Sequence, residues 1–570
     1  MPFRRPARAP VHRPLLPALA CAAALLAGCG SGPAPTQPPL VPSTRPPAAA
    51  PVAGPASAVA PVPVAPASAP VAPPAVSPLE TPALAARFPD PAVTFDLPSL
   101  QPGGSGSTSA ADLDARLRAI AATPPAAPSD APTSIAVVTA GKSQDSAPLQ
   151  GLVFTRHPAA TPAVIVRGER PTVLLVAQQH GDEPAGAEAL LVVAQSLASG
   201  PLQDVLDRIN VVILPRANPD GAGRNQAVTT LGVDLDTDHL LLATPEARAM
   251  ALVARDYQPL VFADLREYPV DPAYAERLGG AARADLMLQY AGSSGVSEFV
   301  TKAAEAWFRQ PLLAALRDQG LATEWLHRPV EARRAAMDSA RADNARNVNG
   351  LRNAVSFTLA TRGANLGPVH LSRRVFTHVE AVTALLRSSA QRADDLVKLR
   401  KYVDASVRAN LCKGDMAIDG RLSPVEHTVT VVDPAGGTDR EVAITLDSSL
   451  ALREARVRTR PCGYWLAADQ GEAVSRLRGL GVRVEKLVEA IDMQADVNTG
   501  APVPGEREIL EFGAPAGSFY VPLSQPWGNL AVAALEPDSS PGLLAAKVVT
   551  APNKLRKITS NPKVRRTLVP

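Results

Sequence analysis

His180 and Glu183, in the stretch "HGDEPAG", stand at the two-residue interval that lets an imidazole and a carboxylate face one metal ion. A mononuclear hydrolytic zinc needs three protein ligands and a base that moves protons, so this pair is half of such a site. An isolated His-x-x-Glu is weak evidence, because a surface histidine near a glutamate produces the same pattern. No Ser-His-Asp arrangement is legible elsewhere, and Cys412 has no neighbouring base that would make it a nucleophile.

The elements around the pair would present it at a cleft. "TVLLVAQQ" is apolar along most of its length and reads as a central strand. Pro184 then opens a helix, "AGAEALLVVAQSLASG", that Gly200 stops, so His180 and Glu183 lie where a strand turns into a helix. "INVVILPRANPDG", "PLVFADLREY" and "NAVSFTLATRG" read as further strands, with helices between and after them, including one long amphipathic stretch from His370 to Val407. Alternating strands and helices predict a largely parallel sheet covered on both faces, with its ligand site at the carboxyl ends of the strands. His180, Asn218, Arg266 and Ala360 all fall near such ends.

Five segments occur in order: "HGDEPAGAEAL", "RANPDGAG", "GVDLDTDHLLLATPEARAM", "FADLREYP" and "RNVNGLRNAVSFTLATRG". Together they resemble the zinc carboxypeptidase family, the carboxypeptidase A-like peptidases, most of all its larger bacterial secreted members. The resemblance spans about residues 150–400 and continues loosely through "RPCGYWLAAD" and "VPLSQP". It implies an α/β fold, a mixed, mainly parallel sheet flanked by helices, followed here by a β-containing α+β C-terminal region. It also implies that His180 and Glu183 are the first two zinc ligands.

Other family positions depart from the pattern. The third ligand, a histidine in Asp-x-His-Glu-Tyr, is Arg266 in "DLREY", and a guanidinium offers only donors. The family base, a glutamate on the strand before Thr-Arg-Gly, is Ala360 in "FTLATRG". The Asn-Arg pair that grips a substrate carboxylate is replaced by Asp236 and Thr237, and an aspartate there repels a carboxylate. The oxyanion-stabilising arginine falls near Gln226 or Ala227, with Arg224 two or three positions away as a substitute. Scaffold segments such as "NPDG", "TPEARAM" and "TRG" read as the family has them. Losses confined to chemistry imply a fold retained without its reaction. Arg266 is expected to reach Glu183 in a charge-assisted hydrogen bond that substitutes for the metal's charge. His239 reads as a structural residue, not a rescue ligand. Strand alternation is read as turning both Asp264 and Glu267 away from the side that Arg266 faces.

The chain has 570 residues and a net charge of +3, which gives no electrostatic footprint for nucleic acid. Residues 1–28 combine an Arg-rich start with a short apolar run, the pattern of a secretory signal peptide. They run into "LAGC", residues 26–29, which resembles a bacterial lipobox and makes Cys29 the acylation site. Residues 29–107 are read as a disordered stalk; the Pro- and Ala-rich part could reach on the order of 100 Å. Residues 108–409 form the zinc carboxypeptidase-like domain, and 410–570 an accessory region with no catalytic pattern. In an exported protein Cys412 and Cys462 are expected to pair. The expected localisation is the periplasmic side of a bacterial envelope, on a lipid anchor. The leading reading is a degenerate carboxypeptidase that binds peptides or peptidoglycan stem peptides, with zinc binding doubtful. The alternatives are an active zinc metallocarboxypeptidase and a structural envelope lipoprotein.

Overall fold

The computed structural model describes residues 80–570 except 102–103, 105, 124–132, 497–508, 564 and 570. The signal peptide, Cys29 and the stalk as far as residue 79 lie outside the described residues. An eight-stranded sheet forms the centre. Its strands are β1 (Ser134–Lys142), β2 (Pro148–Thr155), β3 (Thr172–Ala177), β4 (Asn210–Leu214), β5 (Val261–Tyr268), β6 (Leu286–Tyr290), β7 (Thr323–Trp325) and β8 (Val355–Arg362). The spatial order is β1-β2-β4-β3-β5-β8-β6-β7. The β4-β3-β5-β8 centre is parallel, and β1, β2 and β6 bring antiparallel pairings at the flanks.

Every residue of β3, β5 and β8 is buried, which explains the apolar run of β3, whereas β5 and β8 also bury charged and hydroxyl side chains toward their carboxyl ends. On one face Leu175 and Leu265 pack against helices α1 (Ala110–Ala121), α2 (Pro184–Ser199), α3 (Leu371–Gln391) and α4 (Ala393–Ala409). The stretch read as one helix from His370 to Val407 is therefore two, α3 and α4, meeting at Arg392. On the opposite face Leu174, Val176 and Phe262 belong to a core that also holds Leu240, Met250, Tyr464, Leu477 and Leu530.

Two boundaries drawn from composition differ from the packing. Residues well before 108 are already packed, because Leu84, Phe88 and Leu97 are apolar enough to be buried on the domain. Packing also runs across residue 410, since the core containing Met250 includes Tyr464 and Leu530. The segments "HTVTVVD" and "REVAITLD" are parts of one long hairpin, β9 (Asp415–Val432) and β10 (Asp439–Thr459). The strand Arg334–Met337 pairs with β10 and extends that second sheet. Cys412 and Cys462 form a disulfide at the base of the hairpin. No helix among the described residues is long and apolar enough to cross a membrane.

Candidate active-site cleft

The turn after β3 places the first half of the site. Gly181 is required there because a Cβ would lie 2.0 Å from the carbonyl carbon of Gly221. That crossing segment is held by Asn218, whose Nδ2 donates to the Gln179 carbonyl and whose Oδ1 accepts from Gly221 N. Pro184 then starts α2, leaving Glu183 at the helix entry. Glu267, on β5, accepts from Ala185 N at 2.9 Å, and its own backbone N donates to Glu183 Oε2 at 2.9 Å. The strand backbone thereby holds the Glu183 carboxylate, and the Glu267 side chain ties the strand to the helix start.

Arg266 reaches Glu183, with Nε donating to Oε2 at 3.0 Å. Its Nη1 lies 3.1 Å from Asp236 Oδ1 and 3.6 Å from Asp264 Oδ2. His180 Nδ1 is 2.8 Å from Glu183 Oε1, and His180 Nε2 is 2.9 Å from Asp234 Oδ1. Burial and the Arg266 charge push the His180 pKa down, but the hydrogen bonds to Asp234 and Glu183 outweigh them and hold it at about 9. The imidazole is then a cation with both nitrogens donating. Arg266 Nη2, 2.8 and 3.0 Å from those nitrogens, therefore makes a like-charge contact rather than a hydrogen bond, and the surrounding carboxylates compensate it. Burial would raise Glu183, yet Arg266 and His180 keep it at about 2. Burial raises Asp264 to about 7 against the pull of Arg266.

Asp264 corrects the alternation argument. Residues 264 and 266 are two apart on β5, so they share a face, and only Glu267 turns to the other side, where Arg374 meets its carboxylate. Ala360 pairs with Arg266 across β5 and β8 and lines the same cleft, of about 210 Å³, with Asp236, Tyr268 and His327. Thr237 is exposed and its hydroxyl donates to the Asp234 carbonyl within its own turn. Arg224 is turned to Asp145 at 3.0 Å and to Thr230, while Gln226 is exposed and Ala227 half-buried. His239 is buried, bonded to Gln179 Oε1 at 2.6 Å, and held neutral by burial and Arg352, with a pKa of about 3.

Two residues escaped the sequence reading. Asp234 belongs to the quoted "GVDLD" segment, and its acidic type beside a histidine-bearing turn was the available signal. Asp182 lies inside the His-x-x-Glu motif itself. Its ligand oxygen, the His180 nitrogen and the Glu183 oxygen all lie within 4.8 Å of one another, and its Oδ1 is buried without a hydrogen-bond partner. Three donors are thus near one point, but they do not fit a hydrolytic zinc ion. Arg266 Nη2 lies within 3.0 Å of both His180 nitrogens, and a permanent cation there opposes a dication.

Residues 126–320 match the Zinc carboxypeptidase family, a span that includes His180, Glu183, Asp236 and Arg266 and stops before Ala360. Carboxypeptidase 2 of Trichophyton equinum is 24% identical over 389 residues, covering 63% of this chain and 70% of that protein. Human carboxypeptidase D is 35% identical over 97 residues, 14% of this chain and 7% of its own length. Among solved structures, a metallo-carboxypeptidase from Burkholderia cenocepacia is 17% identical, with a TM-score of 0.37 over 50% of this chain and 70% of that one. The part of the chain that carries these residues is thus similar to the zinc carboxypeptidase family.

Proposed function

We propose that this protein is an envelope-anchored relative of the zinc carboxypeptidases that binds peptides or cell-wall stem peptides with little or no hydrolysis. The observation that carries the reading is the Arg266 Nε to Glu183 Oε2 hydrogen bond, which engages a family zinc ligand with a fixed positive charge. The methyl of Ala360 supplies no base, and proton transfer alone is usually worth about 10²- to 10⁴-fold in rate. Asp236 bordering the cleft disfavours a free carboxylate, so a bound peptide would engage through its backbone and side chains. Cys29 at the end of the signal-like segment supports attachment by acyl chains to the periplasmic side of a membrane.

The test is metal analysis of the purified protein together with a peptide-binding titration. The expected result is less than stoichiometric zinc, saturable peptide affinity lost when Ala336→Trp fills the cleft, and no released amino acid. One tightly held zinc with chelator-sensitive trimming of peptide tails would overturn it. That outcome would favour an active zinc metallocarboxypeptidase, for which Asp182 beside His180 and Glu183 is the supporting observation. Silent cleft substitutions would favour a structural envelope lipoprotein. Labelled palmitate incorporation lost in Cys29→Ser checks the anchor.

A further inference from the structure

A second cavity, of about 190 Å³, lies between the loop at Ala340–Ala342, the start of β9 and helix α5 (Gly528–Leu535). It shares no lining residue with the cleft, although Asp338 of the same loop borders the cleft. Arg460 lines this cavity and is only 9% exposed. Its Nη2 donates to Asn529 Oδ1 at 2.7 Å, its Nε is buried without an acceptor, and no carboxylate among the described residues forms an ion pair with it. Asn529 cannot do more for it, because its own Nδ2 is committed to the Gly295 carbonyl at 2.7 Å.

A buried guanidinium stays charged and is costly without a counter-ion, and in folded proteins such a group is nearly always paired. This one borders open volume. The walls also hold Met416 and Val532, both largely buried, which suit a small apolar body. Arg341 also lines the wall and is paired with Asp343 at 3.0 Å, and two carboxylates complete it: Asp419 is engaged by Arg456 at 2.9 Å, and Asp415 is exposed. Their charge favours a monoanion over a dianion.

We infer that this cavity is a binding site for a small monocarboxylate of amino-acid size, its carboxylate paired with Arg460 and its apolar part against Met416 and Val532. The site is independent of the cleft reading, and neither stands or falls with the other.

Calorimetric titration of the full-length protein with N-acetyl-L-alanine, with inorganic phosphate, and with chloride at matched ionic strength tests it. The acyl amino acid should bind saturably, phosphate and chloride should not compete, and Arg460→Met should weaken binding by about tenfold or more, the usual scale for losing a charged hydrogen bond. Ala533→Phe, which fills the cavity without touching the guanidinium, should also abolish binding and decides the matter if Arg460→Met does not fold. Binding should survive Ala336→Trp in the cleft. No saturable binding, binding indifferent to Ala533→Phe, or phosphate bound in preference to the acyl amino acid would each overturn the assignment.

Discussion

Arg266 organises the charge of the cleft: it meets Glu183, Asp236 and Asp264 within 3.6 Å while lying against a protonated His180. Removing it would leave those acids crowded without their shared counter-ion. Arg266→Met is expected to destabilise the fold by roughly 3–5 kcal/mol, the usual consequence of stripping one partner from a buried ion pair. A urea melt checks this, and an unchanged midpoint would show that the cluster carries no net stability. The double substitution Arg266→His with Ala360→Glu tests the chemistry. It should recover zinc binding before turnover, because Asp236 and Thr237 still fail to grip a carboxylate. Full activity from Arg266→His alone would mean that the base lies somewhere other than position 360.

The segment from Glu80 onward works as a strap whose anchor is electrostatic as well as apolar. Glu80 is bound by Arg362 Nη2 at 2.6 Å and by His370 Nε2 at 3.0 Å, and the Arg362 guanidinium also sits 4.0 Å over the Phe88 ring. Burial would raise the Glu80 pKa, but His370 and Arg362 leave it below the ordinary carboxylate value. A depressed folded pKa gives stability that is fully present above the unfolded value and lost as pH falls through the folded one. The strap should therefore loosen only on acidification below the usual carboxylate range. At neutral pH, Glu80→Gln should speed proteolytic cleavage within residues 80–101 by about tenfold or more, the scale expected when a charged buried contact is lost. Equal cleavage rates for the two proteins would assign the anchoring to Leu84 and Phe88 alone.

At the level of the whole molecule, the C-terminal region is part of the domain's core. Leu240 and Met250 share buried contacts with Tyr464, Leu477 and Leu530, and β10 pairs with the strand Arg334–Met337. A fragment ending at residue 409 would expose that apolar face and is expected to aggregate, so a soluble, cooperatively melting fragment would contradict this account. The Cys412–Cys462 disulfide, closing a sequence separation of 50, should contribute roughly 4 kcal/mol through the entropy of the unfolded chain. Reduction or paired replacement by serine should lower the urea midpoint accordingly, with little effect on cleft geometry.

Much of this was legible in the residues. The apolar run of β3, Pro184 at the start of α2 and Gly200 at its end specify local structure through backbone sterics and burial, so strand, turn and helix could be read directly. The identity of position 266 was equally readable, because an arginine has no lone pair to offer a metal wherever it is placed. What the linear order left undecided was which acids answer that arginine. Asp236 and Asp264 come from two segments, and only the approach of the loop to β5 gathers them around one guanidinium while Asp234 of the same loop meets His180. Tertiary packing likewise decided that a stretch with the composition of a stalk becomes a strap at Glu80, and that Arg460 is enclosed without an acid. Burial and partner choice depend on contacts between residues tens to hundreds of positions apart, and no local pattern encodes those distances.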